Sequence, residues 1–311
     1  MTTVAVIGSI VMDIVVQTPR IPGSGENLHA RQVRPLTGGK AANAAVAFTR
    51  LGGESVLISN VGEDVFGEMA LTTLMEEGIG LSTIGRVKDA PTGAGVLLVE
   101  PHGETAFIIA PGANLTLTAG QVEARLRPVL QRMDGLLFNF EAPEEALFRA
   151  VDLAIREEVP IFVDAGPARR YDHRLWRQAE VLSPNQPETE AMVGFAIDSE
   201  EAARAAASAL LAQGPRAVVL KLGDRGALLA TPKTMTFFPA FPIRPVDTAG
   251  AGDAFTAGLV WARLRGWTWE KSMRWASACG ALAAAHLGAM PSMPYRHEVK
   301  HFLAAQNGKS A

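Results

Sequence analysis

The segment Val246-Asp247-Thr248-Ala249-Gly250-Ala251-Gly252-Asp253-Ala254-Phe255 decides how this chain is read. It is a glycine-rich turn feeding a helix, predicted from about Asp253 to Arg265 and stopped at Gly266, with an acid at the junction. Gly250, Ala251 and Gly252 carry little or no side chain, so an anion can come close to their N–H groups, at the helix end where the dipole is positive. An anion cradle beside a carboxylate suits phosphoryl transfer. The cradle holds charge developing on the phosphoryl group, and Asp253 takes the proton of the attacking hydroxyl. Small residues before a helix and a capping Asp are common on structural grounds alone. The ordered pattern Asp-Thr-x-Gly-x-Gly-Asp, with acids at both ends of the loop, is much less so.

Two further segments carry chemistry. Gly38-Gly39-Lys40-Ala41-Ala42-Asn43 opens an Ala-rich helix, about Ala41 to Leu51, that ends at Gly52-Gly53. The glycines let a ligand approach the backbone, Lys40 offers a cation, and Asn43 can both donate and accept. This is not a Walker A loop, because the Gly that should precede the Gly-Lys pair by five positions is absent. Ser183-Pro184-Asn185-Gln186-Pro187-Glu188 follows a predicted strand and opens a helix. Asn185 and Glu188 can therefore present oxygens in the ligand crevice of an open α/β sheet, or simply cap the helix as a capping box.

The bulk numbers bound the class. The chain has 311 residues, 48% apolar and 20% charged, with a net charge of −3, which fits a globular protein large enough for one sizeable α/β domain. No basic block is present, so nucleic acid is not an expected partner. The single cysteine, Cys279, lies in an apolar helix read from Arg274 to His286 and fits core packing in a reducing compartment. The first residues lack the pattern of a signal peptide, and no apolar run would span a bilayer, so neither a membrane nor secretion is expected and the cytoplasm is predicted.

Along the chain, Val4–Ile7 reads as a buried strand. Asp13–Gln17 and Asn27–Arg34 read as hairpin-like pieces, as do Gly95–Pro101 and Thr105–Ile109 with Gly103 at their turn. Residues 12–36 and 92–109 are expected to form one small sheet outside the main fold. Strands are also predicted at Ser55–Val61, Gly135–Phe140, Ile161–Asp164, Val181–Leu182, Ala217–Leu220 and Ala227–Ala230. Helices are predicted at Gly67–Glu77, Ala119–Leu130, Glu144–Glu157, Glu188–Gly194 and Glu200–Gln213, with a frayed tail from Gln306. Strands alternating with helices predict an α/β fold, a doubly wound, mostly parallel sheet flanked by helices.

The glycine-acid segment, the Gly-Gly-Lys segment with Arg50-Leu51-Gly52, and the Asn-x-x-Glu segment resemble, in order, the motifs of the ribokinase-like (PfkB) family of sugar and nucleoside kinases. Ala110-Pro111-Gly112-Ala113-Asn114 is similar to the Gly-Ala-Asn loop of the family's ribose kinases, and Phe140-Glu141-Ala142-Pro143 to a strand-end segment that contacts the sugar. The resemblance covers about Val4 to Leu303 and implies a single domain over 1–311 with a small β-sheet lid. It implies Asp253 as the catalytic base beside Gly250, Ala251 and Gly252, and Asp13, Gly39, Lys40, Asn43 and Glu141 as sugar-binding residues. ATP is implied at Asn185, Lys221, Gly223, Asp224, Gly226 and Ser277, and Mg²⁺ through water at Asn185 and Glu188. A monovalent cation such as K⁺ is implied at Asp247, Ala249, Gly288 and Ser292. A homodimer through the lid is also implied.

One departure bears on the substrate. Where the ribose kinases have an Asn two residues before Asp13, this chain has Val11 or Met12. The Gly-Ala-Asn and Phe-Glu-Ala-Pro matches imply ribose as the first expectation, but the lost polar contact counts against it and makes the pocket more apolar. A nucleoside, fructose or 2-keto-3-deoxygluconate therefore stays open beside it, with a non-catalytic sugar- or nucleotide-binding regulator as a remote alternative. His297-Glu298-Val299-Lys300-His301 matches the zincin pattern but lies close to the end of the chain with no later ligand, and is read as a charged helix surface.

Overall fold

The computed structural model describes residues 1–101 and 105–307. The first half of the chain runs β1 (Thr3–Ile7), β2 (Val11–Gln17), β3 (Gln32–Gly38), α1 (Lys40–Arg50), β4 (Glu54–Gly62), α2 (Val65–Glu76), β5 (Ile84–Val87), β6 (Gly93–Val99) and β7 (Thr105–Ala110), then α3 (Ala119–Leu130) and β8 (Gly135–Asn139). It continues through α4 (Glu144–Arg156), β9 (Ile161–Asp164), β10 (Val181–Ser183), α5 (Gln186–Val193), α6 (Glu200–Leu211), β11 (Val218–Lys221), β12 (Ala227–Ala230) and β13 (Met235–Phe238) to α7 (Ala251–Leu264), α8 (Trp269–Ala284) and α9 (Arg296–Asn307).

Apolar strands buried on both faces make a nine-stranded sheet in the order β13-β12-β11-β10-β9-β8-β1-β4-β5. Every pair is parallel except β11 with β12 and β12 with β13. Residues of α1, α2, α7 and α8 close one face around Phe48, Leu57, Trp261 and Met273, and those of α3, α4 and α6 close the other around Phe138, Leu126, Leu147 and Leu210. The chain leaves β1 toward β4 on one side and returns to β8 on the other. Strand order thus reverses at β1, and a crevice opens at the carboxyl ends of the strands there.

From that switch point the chain rises into a second sheet of four strands, β3-β2-β6-β7. This is the lid expected from 12–36 and 92–109, and its base is stapled to the main fold by the buried Asn114. The Asn114 amide accepts the Ile10 N–H at 2.9 Å and donates to the carbonyls of Ile10 and Pro111 at 2.8 and 2.9 Å. Asn114 thus supports the lid.

Several boundaries differ from expectation, each for a local reason. The second lid strand is Gln32–Gly38, not Asn27–Arg34, because Gln17 pairs with Gln32 and leaves the residues between them as the loop. The turn expected at Gly103 lies outside the described residues. β5 and β13 are four-residue edge strands in which Ile84 alone is buried, so no apolar run announced them. α8 starts at Trp269, where the Thr268 hydroxyl caps it, and not at Arg274. The helix expected from Glu188 starts at Gln186, and Gln306 is still helical.

Phe48, fully buried on α1, lies against Gly53 at the turn after its own helix. Phe48→Ala is expected to cost about 3–5 kcal/mol, read from urea unfolding. A loss below about 1 kcal/mol would contradict this packing.

Candidate active site

Two helix N-termini meet over the crevice, and a glycine sets each one. Gly39, before α1, has φ +95°, and a Cβ there would lie 2.7 Å from the Ser9 carbonyl oxygen. Gly250, before α7, has φ +76°, and its Cβ would lie 2.7 Å from Met293 Cε and 3.0 Å from Ala289 Cα. No side chain fits either place, and positive φ favours Gly in any case. The loop behind Gly250 is held in turn by Arg50, whose guanidinium donates to the carbonyls of Met293 at 2.6 Å and Pro291 at 3.2 Å.

This arrangement brings Asp253 of α7 onto two side chains of α1. Lys40 Nζ lies 3.0 Å from Asp253 Oδ1, and Asn43 Nδ2 donates to Oδ2 at 2.8 Å. Asp253 is buried, yet a carboxylate offers about four acceptor sites, so sites remain for a ligand hydroxyl. The Asn43 side-chain amide oxygen is buried with no partner among the described residues. The anion cradle is narrower than expected, because the Ala251 N–H is turned back to the Thr248 carbonyl at 3.2 Å. The open amides of the turn are those of Gly250 and Gly252.

On the other side of Lys40 stands Asp164, the last residue of β9, which no motif marked. Its carboxylate accepts Lys221 Nζ at 2.8 Å and lies 3.6 Å from Lys40 Nζ. Lys221 also donates to the Thr256 hydroxyl on α7 at 3.1 Å. Burial alone would raise the Asp164 carboxyl, but the two lysines outweigh it and hold the pKa below its ordinary value. Burial likewise opposes the Lys40 charge. Asp164, Asp253, Glu188 and Glu141 together overcome that and hold Lys40 well above the usual lysine range.

The lid brings Asp13 to the same centre. Its carboxylate leans over Gly38 and Gly95 on the two neighbouring strands, where any Cβ would come within 2.0 Å and 3.1 Å of its oxygens. Among the described residues it has no hydrogen-bond donor. Burial, then the charges of Glu141, Asp253 and Asp247, push its pKa from 3.8 to about 7. Val11 lies two residues earlier on the same face of β2 and is buried. The Phe107 ring reaches over Gly95, 2.7 Å from where a side chain would begin. Glu141, after β8, accepts the Ser9 hydroxyl and, at 3.2 Å, the Lys40 N–H. Its pKa is raised by burial, against the pull of Lys40 and Ser9.

The remaining sequence candidates fall around this centre. Asn185 and Glu188 form a complete capping box. The Glu188 carboxylate accepts the Asn185 N–H at 2.7 Å and its side-chain amide at 3.0 Å, and Asn185 accepts the Glu188 N–H at 2.9 Å. Asp247 links two loops, accepting the N–H of Ala249 and of Gly288, each at 2.9 Å, while Ser292 donates to the Ala289 carbonyl at 2.7 Å. Gly223, Asp224 and Gly226 lie on the turn between β11 and β12, and Ser277 is half-buried on α8. No hydrogen bond or ion pair joins them to the Asp253 cluster. Glu298 of the zincin-like segment accepts the Tyr295 N–H at 2.7 Å, capping α9.

Residues 1–296 match the profile described as pfkB family carbohydrate kinase. A ribokinase from Haemophilus influenzae is 30% identical, over 97% of this chain and 98% of its own. A deoxyribokinase from Salmonella typhi is 27% identical, over 97% and 98%. The structure of Arabidopsis thaliana ribokinase complexed with ribose and ATP superposes with a TM-score of 0.87 at 28% identity, covering 97% of this chain and 99% of that one.

The raised Asp13 carboxyl has a consequence for stability. An unfolded chain loses this proton near 3.8, the native protein only near 7, so native stability falls as pH rises through that window. Asp13→Asn removes the burdened charge. It is expected to melt a few degrees above the unsubstituted protein at pH 8, with the gap closing as pH falls toward 4. A variant less stable than the parent at pH 8 would contradict the assignment.

Proposed function

The chain belongs to the pfkB family of carbohydrate kinases, and from that premise we propose that it transfers the γ-phosphoryl group of ATP to the hydroxymethyl group of ribose or a closely similar sugar. The observation that carries this reading is the Asp253 carboxylate, held by Lys40 and Asn43 beside the open amides of Gly250 and Gly252. Asp13, Gly39, Lys40, Asn43 and Glu141 hold the sugar with its hydroxymethyl oxygen toward Asp253. That oxygen gives its proton to Asp253 and bonds to the γ-phosphorus as the bond to the ADP oxygen breaks. The amides of Gly250 and Gly252 and the Lys221 ammonium take up the charge on the transferring group. The lid covers the reacting group, which keeps water from competing as acceptor.

The nucleotide extends from Lys221 toward Gly223, Asp224 and Gly226, with Ser277 on the adenine side. Asn185 and Glu188 would hold Mg²⁺ through water, since Glu188 uses only two of its acceptor sites in the capping box. When bound, the ion neutralises charge on the nucleotide phosphates. The Asp247–Ala249 and Gly288–Ser292 loops, tied together by the Asp247 carboxylate, would hold K⁺. A second reading, a sugar with fewer hydroxyls, is favoured by the apolar wall of Val11 and Phe107 beside Asp13.

The lid also supports a homodimer. Ile108, 73% exposed, and Val96 share the face opposite Asp13, with the exposed Val33 farther across it. An exposed apolar strip of this kind suits a partner copy. The buried free Cys279 and the dependence on ATP fit the cytoplasm.

ADP release from Mg-ATP, measured with ribose, 2-deoxyribose, fructose, 2-keto-3-deoxygluconate and adenosine, tests the proposal, and turnover with one acceptor far above the rest is expected. Asp253→Asn should lower kcat by about 10²–10⁴-fold while nucleotide Kd stays within about twofold. A near-normal kcat in that variant overturns Asp253 as the base.

A further inference from the structure

Asp164 occupies a place that neither the motifs nor the family assignment explains. The residue is 4% exposed at the carboxyl end of β9, and its carboxylate sits between two lysines that serve different halves of the site. Lys40, 3.6 Å from Oδ2, also meets Asp253 at 3.0 Å. Lys221, 2.8 Å from Oδ1, also donates to Thr256 at 3.1 Å and lies 3.7 Å from where a side chain on Gly252 would begin. Two residues beyond Asp164, Gly166 leaves clear the space that Lys40 fills. A Cβ there would lie 2.3 Å from Lys40 Cε and 2.5 Å from Glu188 Oε1.

A buried Asp–Lys–Lys group is a poor device for stability, since well-packed apolar residues of similar volume do as well or better. It is an effective device for fixing a long, flexible ammonium side chain, because a charge-assisted hydrogen bond holds one rotamer out of many. We propose that Asp164 is a positioning residue for phosphoryl transfer. It holds Lys40 at the proton-accepting Asp253 and Lys221 at the anion cradle, so that one cation stands on the acceptor side and one on the donor side of the transferred group. This rests on the kinase reading above, but nucleotide binding through Lys221 does not depend on which sugar is the acceptor.

The test uses Asp164→Asn, Lys221→Met and the double variant. Three quantities are measured on each: urea stability, the Kd of a non-hydrolysable ATP analogue by calorimetry without sugar, and kcat and KM with the best acceptor. Asp164→Asn leaves buried ammonium charge uncompensated and should lose stability. It should also bind the analogue about 10-fold more weakly and lower kcat by about 10- to 100-fold, the range of a lost charge-assisted bond. The double variant removes the opposed charges together and should regain most of the lost stability, yet its Kd and kcat should stay as poor as those of the worse single variant. An Asp164→Asn protein whose Kd and kcat stay within twofold of the parent would reduce Asp164 to a structural ion partner and overturn the proposal. If the parent binds the analogue but turns over no acceptor, the kinase reading fails, and the calorimetric comparison still decides the role of Asp164.

Discussion

The contact between Lys40 and Asp253, reinforced by Asn43, is the point on which the rest of the site depends. It joins the first turns of α1 and α7, which are far apart in the chain and come together only because the sheet order reverses at β1. Gly39 and Gly250 are what permit it. Each occupies positive φ, where a Cβ would crowd its neighbours, and each starts a helix whose positive dipole end faces the centre. Moving either helix start by one residue would rotate the side chain about 100° around the helix axis and dissolve the contact. The backbone geometry of two turns thus decides where the Asp253 carboxylate stands.

The centre collects more negative than positive charge. Asp13, Glu141, Asp164, Glu188 and Asp253 surround Lys40 and Lys221. Burial raises Asp13, Glu141 and Glu188, whereas Asp164, with a lysine on each oxygen, is lowered. The acids fall accordingly into two groups. Asp164 keeps its charge through its two lysine contacts. Asp13 and Glu141 have their charge opposed by their surroundings and gain most from hydroxyl donors that a bound sugar would bring. A triphosphate entering such a site would need added cations, and in the proposed function the acidic Glu188 turn and the Asp247-linked loops are where they would be held.

Much of this was legible in the sequence, and the exceptions share a cause. Gly250 to Asp253, Gly38 to Asn43 and Asn185 to Glu188 are local patterns in which spacing along the chain fixes spacing in space, because each opens a helix. The buried strands and Ala-rich helices were legible for the same reason. Asp164 was not. An acid closing an apolar strand is commonplace, and its partners come from β11 and α1. The expected three-amide cradle lost Ala251 to a turn bond with Thr248, a detail of φ and ψ that composition does not encode. β5 and β13 are edge strands of only four residues, too short for an alternation to be read. The second lid strand was displaced toward Gly38 by its register with β2, which depends on pairing and not on the strand's own residues.

The account stands or falls on where the acceptor hydroxyl lies relative to Asp253. The most direct measurement is a crystal structure with the sugar that turns over and a non-hydrolysable ATP analogue. The account predicts the hydroxymethyl oxygen within about 3.2 Å of an Asp253 carboxylate oxygen, with the γ-phosphoryl group facing the amides of Gly250 and Gly252. A sugar bound with that oxygen turned away from Asp253, or a γ-phosphoryl group remote from those amides, would contradict it.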